Sequence, residues 1–130
     1  MRNQINSSVL VNGFLYGIDG DAGSRAVLKC LDFGTGQVRW IEEGIGAGAL
    51  MAADGKLIVL SERGILIIAG ATPERFKPLA QAQVLGGKCW TVPVLANGRI
   101  YCRNAAGDLV CVDVRPRKEA KTSSENRLNE

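Results

Sequence analysis

Residues 94–114 read VLANGRIYCRNAAGDLVCVDV, and residues 9–33 read VLVNGFLYGIDGDAGSRAVLKCLDF. Both run from an apolar segment into Asn-Gly, through an aliphatic residue and a Tyr, across a polar loop with Gly, and into L-x-C-x-D. A third copy sits between them. Asn12-Gly13, Asp54-Gly55 and Asn97-Gly98 place their glycines 42 and 43 residues apart. Such dipeptides suit two-residue type I′ turns, whose central residues both need positive φ, so each flanked pair predicts a β-hairpin. The flanks set Val9–Val11 against Phe14–Tyr16, Leu50–Ala52 against Leu57–Val59, and Val94–Ala96 against Arg99–Tyr101.

A second hairpin follows each first one, turning near Gly64 and Gly107, nine residues after Gly55 and Gly98. The first copy is longer at this point, with DGDAGSRA ahead of Leu28. Leu28 and Cys30 then match Leu66 and Ile68, and also Leu109 and Cys111, in an alternation that suits half-buried strands. GQVRW (36–40) and PLAQAQVL (78–85) predict a fourth strand in copies one and two. Four short strands in each repeat of about 40 to 45 residues indicate propeller blades. The expected fold is all-β, with blades near 5–43, 44–86 and 87–115 and a charged, disordered segment at 116–130.

Composition narrows the function. The net charge is +3, and the last sixteen residues carry five basic and three acidic groups, leaving the rest nearly neutral. With aromatics at 5% and no basic-aromatic interleaving, nucleic acid is not an expected partner. No 18-residue apolar run offers a membrane span. The N-terminal MRNQINSSVLVNG has no apolar core of signal-peptide length. The chain has no histidine, which removes Ser-His-Asp and Cys-His catalysis and His-ligated metals. Cysteines 30, 89, 102 and 111 form no C-x-x-C pair and are expected as free, half-buried thiols. A four-residue NAAG loop would pair Arg103 with Asp108 and put Cys102 and Cys111 diagonally on one face. Asp19 and Asp21 in DGDAG lack the further ligands of a calcium loop and are expected in a polar loop. Trp90, ahead of TVPVL, is expected to pack between blades.

CLDFGTGQVRW, residues 30–40, resembles the docking motif of PQQ-like (quinoprotein-type) repeats, A-x-D-x-x-T-G-x-x-x-W. Asp32, Thr35, Gly36 and Trp40 match, and Cys30 replaces the small residue. Asp and Thr side chains can bond their own turn, and Gly permits its backbone. The resemblance implies that Trp40 stacks between neighbouring blades. Copy two has AGATPERFK where the motif would stand, and copy three reaches Asp113 without a closing strand. Family propellers carry about eight blades, so the chain is similar to the C-terminal end of a longer bacterial propeller.

The resemblance implies two functions. One is a non-catalytic protein-interaction or scaffold module that needs no cofactor and binds a protein partner or itself. The other is the C-terminal part of a PQQ-dependent dehydrogenase, with quinone, calcium and catalytic residues on other blades. The family implies a periplasmic or cell-envelope location; a start at Met1 without a signal would mean cytoplasmic. An incomplete ring leaves blade faces bare, and Val9, Val11 and Leu28 are expected on the bare face of copy one.

Overall fold

A computed structural model describes residues 6–20 and 25–115. Among these, β1 (Val9–Val11), β2 (Phe14–Asp19), β3 (Val27–Asp32) and β4 (Val38–Glu42) form one antiparallel sheet in chain order. β5 (Ala49–Ala53), β6 (Lys56–Leu60), β7 (Ile65–Gly70) and β8 (Lys77–Gln83) form a second. β9 (Val94–Ala96), β10 (Arg99–Arg103) and β11 (Leu109–Asp113) form a third. The fourth strands lie two residues away from GQVRW and one to two from PLAQAQVL, starting at Val38 and Lys77.

The three sheets are one design repeated. Asn12, Asp54 and Asn97 have φ of 50°, 53° and 52°, each followed by a glycine also at positive φ. Asn and Asp tolerate this region better than other side chains, which explains their place in all three turns. The equivalent registers are Val9 opposite Tyr16, Met51 opposite Ile58, and Val94 opposite Tyr101. The residue after each third strand donates its N–H to the carbonyl of the turn glycine. Phe33 bonds Gly13 at 3.0 Å, Ala71 bonds Gly55 at 3.0 Å, and Val114 bonds Gly98 at 2.9 Å.

Side chains alternate across a strand, so each sheet has two faces. Sheet one turns Tyr16, Ile18, Leu28 and Cys30 toward Leu50, Leu57, Val59, Ile67 and Ala69 of sheet two. The opposite face of sheet two, with Ile58, Leu60 and Leu66, packs on Ile100 and Cys102 of sheet three. Covered on both sides, sheet two reads as nearly unbroken apolar runs, LIVL and ILIIA. Each fully buried aliphatic side chain in these seams contributes roughly 1.5–3 kcal/mol. We call the face that packs forward along the chain the trailing face, and its counterpart the leading face.

This arrangement corrects one expectation. Leu28 is fully buried and Val9 and Val11 pack against the same core, so all three face sheet two. The other pleat of sheet one, with Leu10 and Leu15, is its outward face. Apolar residues occur on both pleats, so alternation alone could not say which one met a neighbour.

The connection between sheets one and two runs close under the end of β6. A Cβ on Gly48 would stand 2.2 Å from the Leu60 carbonyl oxygen, so the backbone reaches this position only as glycine. The linker between sheets two and three is held the same way: Ala105 N–H bonds the Lys88 carbonyl, as Glu62 N–H bonds that of Ile45.

Candidate functional site

The β3–β4 turn is closed by its own side chains. Asp32 Oδ1 accepts from the N–H groups of Gly34 and Thr35 at 2.9 and 3.2 Å. Thr35 Oγ1 accepts from Gln37 N–H at 3.2 Å, and Gly36 takes φ 77°. These bonds bring Asp32, Thr35 and Gly36 together in the β3–β4 turn. Trp40 lies away from them, on the trailing face beside Cys30. Its indole Nε1 donates to the Thr72 carbonyl at 2.8 Å, and its ring sits 5.7 Å from Phe76 and 6.0 Å from Tyr16. Thr72 and Phe76 belong to AGATPERFK, so the segment without the motif is the one that receives the motif's Trp.

Sequence reasoning missed Glu62. Its Oε1 accepts from Ala47 N–H at 3.1 Å, and its Oε2 accepts from Trp90 Nε1 at 2.8 Å. Its backbone N–H bonds the Ile45 carbonyl, and its own carbonyl accepts from Cys89 N–H. Glu62 thus ties both inter-sheet linkers to the β6–β7 turn. The Trp90 bond, aided by Ala47 N–H and nearby Lys88 and Arg63, holds the carboxyl below the usual range. In SERG a charged turn residue looks like any solvated one, so the only usable signal was Trp90 needing an acceptor. The Trp90 carbonyl also accepts from Asn6 Nδ2 at 2.7 Å, joining the first and third copies.

A recess of about 540 Å³ opens between Arg25 to Val27, the linker Glu43 to Gly46, and Glu62 with Arg63. Its floor is the Glu62 hub, whose carboxylate already serves Ala47 and Trp90. Among the described residues no group of three or more His, Cys, Asp or Glu side chains could hold a metal ion. Asp19 ends β2 and pairs with Lys29; Asp21 lies outside the described residues, as do residues 116–130.

The cysteines divide by face. Cys30, Cys89 and Cys102 are buried and Cys111 is exposed; none is in a disulfide. They are not the half-buried set expected. Burial raises the thiols of Cys30 and Cys89, and pushes Cys102 up to about 11. The β10–β11 register pairs Arg103 with Leu109 and Cys102 with Val110. The expected diagonal pair is therefore wrong: Cys102 faces the core and Cys111 faces away. The loop holds five residues instead of four because the Asn104 side chain closes it. Its Oδ1 accepts from Asp108 N–H at 2.8 Å, and its Nδ2 bonds the Asp108 carboxylate and the Gly86 carbonyl.

Among the described residues no sheet packs on the trailing face of sheet three. Val94 and Leu109 are 56% and 65% exposed, and Cys111, opposite Tyr101 in the register, is exposed as well. Among the described residues no strand pairs with the outer edge of β11.

No protein-family model matches the chain, and no curated protein matches it. Solved structures do. A europium-containing methanol dehydrogenase superposes with a TM-score of 0.61 at 13% identity, over 84% of this chain and 23% of that one. BamB from Moraxella catarrhalis superposes with a TM-score of 0.50 at 12% identity, over 82% of this chain and 42% of that one. The chain thus spans less than half the length of either. With three antiparallel sheets of three and four strands, it has the fold of a partial β-propeller.

Proposed function

We propose that the chain is a non-catalytic propeller segment that works by packing its open blade face against another protein surface. The observation that carries this reading is the trailing face of sheet three, where Val94, Tyr101, Leu109 and Cys111 stand at seam positions with no neighbouring sheet described. Contiguous exposed apolar surface beside an unpaired strand edge is a feature of interaction sites. In this reading the chain needs no cofactor, and Asp32, Thr35, Gly36 and Trp40 are structural residues that dock one blade on the next. The envelope location implied by the resemblance belongs to the same reading.

The test is site-specific photo-crosslinking in cells of the source organism. A benzoylphenylalanine at Leu109 should give a discrete protein adduct, and one at Leu79 on the rim of β8 should give none. No adduct at Leu109, or equal adducts at both, would refute the reading.

A further inference from the structure

We infer that Asn12 and Asn97 are deamidation sites, and that the fold holds the reaction back until the hairpin each one turns has opened. Two sheets place the same pair, Asn-Gly, in the same backbone geometry at an exposed asparagine. With no side chain on the glycine, its peptide nitrogen is unshielded. In the reaction that N–H gives its proton to solvent and the nitrogen attacks the Asn Cγ. A C–N bond forms there, and the side-chain nitrogen leaves as ammonia. Water then opens the cyclic imide. Cleavage at Cγ leaves aspartate on an unchanged backbone, and cleavage at the main-chain carbonyl leaves isoaspartate, with the chain routed through the side chain. The net change takes up one water and releases one ammonia.

The folded turn blocks the first step. Asn12 and Asn97 have φ of 50° and 52°, and Gly13 and Gly98 have 82° and 75°, the type I′ combination. In that turn ψ of the first central residue is about 30°. For an L-residue this sets the next amide nitrogen nearly opposite Cβ about the Cα–C bond, whereas ring closure needs the two on the same side. The Asn–Gly peptide must therefore swing through roughly 150° before its nitrogen meets Cγ. Each turn resists that swing from two sides. Val11 pairs with Phe14, and Ala96 with Arg99, directly across the turns. The Gly13 carbonyl accepts from Phe33 N–H at 3.0 Å, and the Gly98 carbonyl accepts from Val114 N–H at 2.9 Å. Asp54 stands at the same place in sheet two, at φ 53°. A carboxylate thus fits the turn, and the aspartate product keeps the hairpin. Isoaspartate adds a carbon to the main chain of a two-residue loop, where loop length sets the register. At Asn12 it would release β1, whose Val9 and Val11 pack on the seam with sheet two.

The full chain, incubated at neutral pH in buffer and in guanidinium chloride, tests this by peptide mass spectrometry of the amide-to-acid change. Both asparagines should convert at least about tenfold more slowly in buffer, because only the opened hairpin reacts. Equal rates in the two solutions would overturn the gate, and no conversion in the denaturant would overturn the sites themselves. Phe33→Pro and Val114→Pro each remove one N–H donor to a turn glycine, at residues whose side chains are exposed. Phe33→Pro should speed Asn12 and leave Asn97 unchanged, and Val114→Pro should do the reverse. Equal acceleration of both in a variant that stays folded by circular dichroism would overturn gating by the single hairpin. A variant that unfolds is seen by the same measurement, and the wild-type comparison then decides alone. Asn12→Asp and Asn97→Asp should keep the wild-type unfolding midpoint, and a lower one would contradict the fit of aspartate in these turns.

Discussion

Glu62 shows how one side chain can hold a repeat together. Its folded pKa lies below the ordinary 4.5, chiefly through the Trp90 bond, so its stabilising effect is complete above about pH 4.5. It is lost as the pH falls through the lower folded value, because the protonated acid no longer holds both N–H donors as an anion. Glu62→Gln should therefore cost about 2 kcal/mol at pH 7 by urea denaturation. As the pH falls below 4.5 the gap to wild type should narrow. A constant gap across that range would show that the charge has no part. At the Trp40 position, Trp40→Ala should cost about 3 kcal/mol, near the low end for buried aromatics because the ring is partly exposed. Trp40→Phe keeps the ring contacts with Tyr16 and Phe76 and should recover most of that, losing the Thr72 bond. Residue types at these positions were legible where they formed a motif. Asp32, Thr35, Gly36 and Trp40 stand in a recognisable spacing, whereas Glu62 acts through partners fifteen and twenty-eight positions away.

At the level of strands and turns, the sequence was most informative where the chemistry is local. Asn-Gly and Asp-Gly point to positive φ because few other residues tolerate it, and the three first hairpins followed with their registers. The β10–β11 loop was misread because Asn104 acts as a side-chain bridge, adding one residue and turning Cys111 to the other face. Asn104→Ala should cost about 2 kcal/mol, since it strips a buried group of three bonds and leaves the Gly86 carbonyl and Asp108 N–H unpaired. Thermal unfolding followed by circular dichroism measures this. An effect within 0.5 kcal/mol, as roughly expected of surface substitutions, would mean that the loop is closed by its backbone alone.

For the whole molecule, the repeat explains itself. A blade has two apolar faces and cannot cover either, so copies stack and each seam buries what one sheet would leave wet. The direction of stacking was not legible, because apolar residues on both pleats are compatible with either sense. The structure resolves it through Tyr16, Leu28 and Cys30, which are buried in sheet one, and their counterparts in sheet three, which are not. The fold shared with the methanol dehydrogenase and BamB covers 23% and 42% of those chains. Its three sheets stack as blades do along part of a propeller's arc.

Cys30 and Cys111 occupy the same position in two copies of one design, one inside a seam and one on the open face. The most direct measurement is therefore the rate at which each thiol is alkylated in the native chain at low concentration, resolved by peptide mass spectrometry. Cys111 should react at close to the rate of an exposed thiol. Cys30 should react only as fast as the seam opens, at least a hundredfold slower if opening costs about 3 kcal/mol. Equal rates for the two cysteines would contradict the account, because the seam and the open face would then be the same surface.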